Sequence, residues 1–334
     1  MGLLPSHGGR LPARAAGAQT VSPRRTRSVR IRRLGDPAFR ILSLTFALSV
    51  LALAAIIGIV LIRDSAPARA AFGWPFLWTS VWDPVALRFG ALPFIYGTLA
   101  TTAIALAIAL PLGLGAAICL AELLPQRLAD MLTFLIELLV AVPSVVYGLV
   151  GVFVLVPLMR GVEQAVVPML GFIPFFAGPA YGIGLLTAGV LLAVMIVPFI
   201  IAVSREVLLA VPQAQRDAAL ALGATRWETV RDVVLPYARS GILGSVFLAL
   251  ARALGETMAV TMVIGNRPEI SASLFAPAYT MAAVLANEFT EATETVYLAA
   301  LVEIGLVLFV ITLIVNGIAR LLIATVREPG VARA

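Results

Sequence analysis

Lysine is missing from this sequence: all 24 basic residues among its 334 are arginine. A phosphate-binding P-loop depends on its lysine, so the chain is not by itself an ATPase of that type. Schiff-base chemistry is excluded on the same ground. Histidine occurs once, as His7, and cysteine once, as Cys119. No disulfide within the chain is possible, and no His/Cys metal cluster can be drawn. Cys119 stands in an apolar run and reads as a small buried apolar residue. Charge is scarce too: 13% of residues are charged and 61% are hydrophobic, well above the roughly 45–50% of soluble domains.

What fills the space is apolar helix. Six nearly uncharged runs reach the ~20 residues that an α-helix needs to cross a ~30 Å hydrocarbon core. They cover 39–62, 93–121, 131–159, 183–204, 240–265 and 296–325. The fold class is therefore an all-α integral membrane protein with six transmembrane helices. Pro111, Pro143 and Pro198 fall inside spans, where they kink helices whose freed backbone groups neighbours must satisfy. The first run exceeds the ~7–15 residues of a signal-peptide apolar region. Arg63 and Asp64 follow it directly, so it reads as a retained anchor.

The arginines set the expected orientation. With the N-terminus inside, eighteen lie on the cytoplasmic side and five outside (Arg63, Arg69, Arg88, Arg160 and Arg267). That asymmetry places both termini in the cytoplasm. Residues 1–38 form an Arg-rich tail without apolar periodicity, expected to be disordered. The tail serves either as a topology signal or as a contact for anionic lipid. A second cytoplasmic tail covers 326–334. The outer segments 63–92, 160–182 and 266–295 carry Asp64, Asp83, Glu163, Glu269, Glu288, Glu291 and Glu294. In the last of them, 281–286 is apolar. It either re-enters the membrane edge or forms an amphipathic surface helix.

The one sizeable cytoplasmic loop after the tail is 205–238, containing VPQAQRDAALALGATRWETVRDVVLP. Pro212 suits a helix's first turn, and Ala218, Ala219 and Leu222 share a face by helical spacing. Gly223 is a helix stop. Thr225-Arg226-Trp227-Glu228 has the capping-box pattern and opens a second short helix expected to end before Pro236. Residue chemistry leaves two readings open, a plain connector and a rigid docking element.

This loop carries a family resemblance. Asp217-Ala218-Ala219, three residues, Gly223, nine residues, then Val233-Val234-Leu235-Pro236 resembles the EAA loop of ABC importer permeases (E-A-A-x3-G-x9-I-x-L-P). Asp replaces Glu and Val replaces Ile. The resemblance implies a type I ABC importer permease core over about 93–325. It also implies that Asp217, Ala218, Ala219, Gly223, Leu235 and Pro236 belong to a coupling loop that seats on a separate ATPase.

Further stretches, FGALPFIYGTL (89–99), ELLVAVPSVVYG (137–148), RALGETMAVTMVIGN (252–266) and VLANEF (284–289), resemble the PstC family of phosphate importer permeases. The similarity runs from about Phe72 to Thr325 and leaves out the N-terminal tail. It implies a bacterial inner-membrane heterodimer with a PstA-like permease, two PstB-like ATPases and an external PstS-like phosphate-binding protein. No cofactor is implied for this chain itself; ATP and magnesium belong to the ATPase.

Arg252 and Glu256 are charges set deep in an apolar run. Four residues apart on a continuous helix, they face the same way and can pair. Read as a helix over 240–265, the run puts Arg252 about 18 Å from either end, where insertion scales charge roughly 2.5–3.5 kcal/mol for an arginine. Two readings stand. One is a structural ion pair, although an apolar pair often packs as well. The other is a pathway in which Glu256 holds Arg252 until an anion takes the guanidinium. Ser144 and Tyr147, beside Pro143, are further candidates to line the path. Competing classes are a permease for sulfate or molybdate, an ion-coupled secondary transporter, and a membrane enzyme. No nucleophile–base pair stands in the spans to support the last.

Overall fold

The computed structural model describes Gly2 and residues 32–326. The expected disorder of the tail up to residue 31, together with His7 and residues 327–334, lies outside the described residues. Helices and loops make up the described chain, with two isolated β-bridges, Asp83–Arg88 and Gly265–Ala278. The helices are α1 (Arg32–Asp64), α2 (Ala66–Phe72), α3 (Leu92–Ile118), α4 (Gln126–Ala141), α5 (Ser144–Val150), α6 (Val156–Leu170), α7 (Leu185–Leu209), α8 (Gln213–Ala221), α9 (Arg226–Thr229), α10 (Leu235–Leu254), α11 (Met258–Thr261), α12 (Met281–Glu288) and α13 (Thr295–Val326). Three π-helical turns, Cys119–Leu123, Gly151–Leu155 and Val230–Val234, extend or join them.

Six helical stretches among the described residues are long and apolar enough to span a bilayer: Phe39–Asp64, Leu92–Leu123, Ser144–Leu170, Leu185–Leu209, Arg226–Leu254 and Thr295–Thr325. Number and order agree with the sequence reading, but three boundaries do not. α1 begins at Arg32, so 32–38 are helical rather than part of a disordered tail; once a helix is nucleated, propagating it past the apolar segment is cheap. The third span starts at Ser144 and not at 131. Pro143 has no N–H to continue α4, and Val142 and Pro143 are extended, which splits the run in two.

The fifth span is the third revision. It begins at the capping box and continues through Pro236 instead of stopping before it. The wider π turn at Val230–Val234 absorbs the ring and its missing hydrogen bond. At its other end the helix closes at Leu254, well short of residue 265. Gly255 favours exit, and the Glu256 carboxylate accepts from Ala259 N–H at 3.3 Å. Such local side-chain bonds compete with continued helix.

The chain divides into two units, residues 1–54 and 55–334. In the first, the described residues are one helix whose apolar side chains, such as Phe39, Phe46 and Leu51, are exposed. In the second, α7 is the axis. Ala188, Leu192, Met195 and Ile196 of α7 pack on Ala105 and Ala109 of α3 and on Ala249 and Ala253 of α10. The α3–α7 seam is the most extensive helix contact. Glycine makes it tight: a Cβ on Gly113 meets Ile200 Cγ2 at 2.7 Å, closer than side chains tolerate.

The N-cap amide and the first two amides of α7 find partners outside the helix. Gly184, Leu185 and Leu186 N–H donate to the carbonyls of Val263, Ala276 and Leu274 at 3.1, 3.0 and 2.8 Å, which satisfies donors that any helix start leaves open. The 281–286 segment does not lie on the surface. Met281, Ala282, Ala283 and Val284 of α12 are buried, and Met281 N–H donates to Thr98 Oγ1 of α3 at 2.9 Å.

Candidate functional site

Two helix breaks precede helices that pack against each other, α5 and α11. One separates α4 from α5 at Val142–Pro143; the other separates α10 from α11 at Gly255–Thr257. α5 and α11 cross at Gly148, where an added Cβ would strike Met262 Sδ and lie 3.2 Å from Ala259 Cα. One turn further, a Cβ on Gly151 would come within 2.9 Å of both Leu191 and Val263 side chains. Small residues here are what bring the two breaks together.

Arg252 sits in the last turn of α10, half-buried, with its guanidinium carbon 5.9 Å from the centre of the Phe199 ring. That ring adds a cation–π attraction of about 0.5–2 kcal/mol. Phe199 lies about 21 Å from the Leu185 end of α7 and about 15 Å from its Leu209 end at ~1.5 Å per residue. The guanidinium therefore stands level with the middle of α7, although the helix that carries it is not the one read from sequence.

The expected Arg252–Glu256 pair is not formed: no ion pair among the described residues involves either side chain. The i, i+4 geometry needed a continuous helix, and the chain leaves helix between the two. Glu256 instead caps α11 through Ala259. What remains is a half-buried cation with no carboxylate partner among the described residues.

Tyr147 lies within the electrostatic reach of Arg252. Its hydroxyl donates to the Leu139 carbonyl at 2.9 Å, the acceptor that Pro143 cannot serve. Ser144 opens α5 one turn earlier, half-buried. The structure thus places Tyr147 and Ser144 at the same break. A Tyr147→Phe variant is expected to lose about 0.5–1.5 kcal/mol, read as a lower thermal midpoint of the purified protein. A variant as stable as the parent would show that Val142 N–H, 3.2 Å from the same carbonyl, suffices alone.

At the other functional region, α8 ends in a Schellman motif. Gly223 N–H donates to Leu220 O at 3.0 Å and Ala224 N–H to Ala219 O at 3.2 Å, with Gly223 at φ +89°. The capping box forms: Thr225 N–H donates to Glu228 Oε2 at 2.7 Å, and Glu228 N–H donates to Thr225 Oγ1 at 3.3 Å. Asp217 and Ala218 are exposed, while Ala219 is buried against the bundle. Ala218, Ala219 and Leu222 therefore do not share one environment: Ala219 is buried while Ala218 and Leu222 are exposed. Leu222 is 90% exposed, and Leu220 and Trp227 are exposed as well. Leu235 and Pro236 open α10 directly behind the π turn.

Other acids found roles that one sequence gives little means of reading. Glu163 is not in an outer loop but in α6, 0% exposed, accepting from Gly182 N–H at 2.7 Å. Glu288 accepts from Trp82 Nε1 at 2.8 Å and Tyr297 Oη at 2.7 Å, which ties α12 to α13 and to the 74–91 loop. Their partners lie from nine to 206 residues away and have no shared motif.

Six spanning helices among the described residues and a capped two-helix loop feeding the fifth of them are the frame of a membrane transport subunit. The chain belongs to the family of binding-protein-dependent transport system inner membrane components, whose model matches residues 109–328. Within that family it falls among the phosphate transport system permease proteins PstC. It is 48% identical over 304 residues to PstC of Mesorhizobium japonicum, covering 89% of this chain and 93% of that protein. PstC of Haemophilus influenzae is 45% identical over 88% of this chain and 94% of its own length. The probable PstC of Methanocaldococcus jannaschii is 38% identical over 76% of this chain and 82% of its own length. Among solved structures, an inward-facing MetNI methionine ABC transporter overlays with a TM-score of 0.49 at 18% identity, covering 72% of this chain and 95% of that one. The protein is a multi-pass membrane transport subunit rather than an enzyme.

Proposed function

We propose that this chain is the transmembrane permease subunit of an ATP-driven importer that moves inorganic phosphate from an external binding protein to the cytoplasm. It works as a heterodimer with a PstA-like permease, two PstB-like ATPases and a PstS-like binding protein. Both termini face the cytoplasm, so that the α8–α9 loop meets the ATPases; ATP and magnesium are held there and not on this chain. Arg252 is the transit contact. The observation that carries the reading is its guanidinium, half-buried beside Phe199 of mid-α7 and without a carboxylate partner among the described residues. A planar fork of donors matches phosphate oxygens with parallel hydrogen bonds, and leaving a cation unpaired at that depth is costly unless an anion visits. Glu256 has its own bond and does not compete for Arg252. Tyr147 and Ser144 border the same point.

The decisive experiment reconstitutes the complete complex in proteoliposomes and measures ATP-dependent uptake of phosphate, sulfate and molybdate supplied with the binding protein. Phosphate alone should accumulate; uptake of another oxyanion in its place would overturn the substrate reading.

The loop makes a separate prediction. Leu222, 90% exposed at the tip of α8, is an apolar anchor for the ATPase. Introducing a charge with Leu222→Asp is expected to reduce ATPase co-isolated with the permease at least about tenfold, in line with a hot-spot residue. Undiminished co-isolation would place the docking surface elsewhere.

A further inference from the structure

Arg216 precedes the exposed Asp217-Ala218 pair of α8, yet its side chain turns into the bundle. Its Nη2 donates to Glu122 Oε1 at 2.8 Å and to the Leu208 carbonyl at 2.8 Å. Nε donates to Glu122 Oε2 at 3.4 Å, and Nη1 donates to the Val211 carbonyl. Both charged side chains are only 11% exposed. Glu122 lies in the π turn that finishes the second span; Leu208 and Val211 lie at the end of α7 and just beyond it. One guanidinium therefore ties three elements together.

Stability is a poor reason for such a pair, because apolar side chains of similar volume hold buried elements together at least as well. What a two-oxygen fork adds is orientation: it fixes angle as well as distance. The neighbourhood shows where a fixed angle matters. α3 and α7 form one body through their glycine-lined seam; α10 packs along α7 over a smaller contact that includes the buried Ser204–Ser245 hydrogen bond at 2.7 Å. Across Gly223, α9 continues without a break through the π turn into α10 and on to Arg252. Gly223 adopts a conformation that other residues resist, and nothing lies within 4 Å of where its side chain would be. Between α8 and the start of the α9 rod is a cavity of about 280 Å³ lined by Glu122, Gln213, Arg216, Arg226 and Thr229 among others.

We propose that the Arg216–Glu122 pair is the joint that makes α8 part of the α3–α7 body, with Gly223 as the hinge between that body and the α9–α10 rod. A displacement delivered at the loop is then divided. α8 moves with α3 and α7; α9 and α10 carry Arg252. Relative movement of the two opens or closes the path at the helix breaks. Arg216 and Glu122 are positioning residues, acting on transport through the elements they align. The inference rests on the loop being the ATPase contact, as proposed above.

Two measurements on the complete complex test it. In proteoliposomes, Glu122→Gln and Arg216→Lys, the second keeping the charge without the fork, should still hydrolyse ATP. Phosphate moved per ATP hydrolysed should fall at least about fivefold, the lower end of typical coupling between sites. An unchanged ratio in both would overturn the joint. The second measurement does not depend on cargo or on the stability of those variants. Spin labels at Ala221→Cys and Leu123→Cys, in a Cys119→Ala background, should keep their separation when ATP binds, while labels at Ala221→Cys and Arg231→Cys should change theirs. A separation from Ala221 to Leu123 that shifts with ATP would equally overturn it. If the parent complex carries a different oxyanion, the phosphate reading fails while the distances still judge the joint.

Discussion

Arg252→Gln should lower phosphate uptake by the assembled transporter at least about thirtyfold, since truncating one partner of a desolvated charge contact typically costs 2–5 kcal/mol. Gln keeps hydrogen-bonding capacity and most of the volume, so the loss reports the charge and the fork. ATP hydrolysis should survive, because the proposed coupling loop is untouched. Glu256→Gln makes the contrast. The amide oxygen of Gln can accept from Ala259 N–H as the carboxylate does, and no ion pair is broken. Its uptake should stay within about threefold of the parent, as for a substitution that leaves one hydrogen bond in place. Both variants are scored by radiolabelled phosphate uptake in proteoliposomes at equal protein. Equal and severe losses would mean that the two side chains act as a pair during transport, against the arrangement described here.

Gly148→Val is the second substitution expected to be severe. The first added carbon already meets Met262 Sδ and approaches Ala259 Cα, and two further methyls have no space beside them. Overpacking of this kind costs about 1–3 kcal/mol where neighbours can yield. Here backbone is one of the neighbours, and α11 must shift away from α5. The expected result is uptake lost with the ATPase still bound, because α8 and the capping box are remote from Gly148. Gly148→Ala should retain partial activity, since Met262 is flexible. Wild-type uptake by the valine variant would show that the two breaks do not need to touch.

The number of spans, their order and the loop's caps were readable from sequence because each depends on neighbours within a turn or two. Apolar run length sets a span, and Thr225 with Glu228, or Gly223 with Leu220, act locally. The EAA-like spacing located α8 for the same reason. Boundaries at residues 143, 236 and 255 were harder. Proline stops the chain at 143 but is absorbed at 236, and only the π turn, a response to the whole helix, distinguishes the two cases. Arg252 and Glu256 misled because spacing alone assumes that the helix persists. Partners such as Glu122 for Arg216, or Trp82 for Glu288, meet across long stretches of chain. No periodicity records that kind of contact.

The unbroken helix from Arg226 to Leu254 also sets a length scale for movement. Its 29 residues make a rod about 43 Å long at ~1.5 Å per residue. Pivoted at the capping box, a tilt of about 5° sweeps the far end through about 4 Å, less than the ~5.4 Å of one helical turn. A swing that small leaves every internal hydrogen bond of the rod intact and still carries a guanidinium through about the length of a hydrogen bond with its bonded atoms. The geometry thus allows the proposed anion contact to be made and broken by rigid rotation alone, with no helix unwound between one delivery and the next.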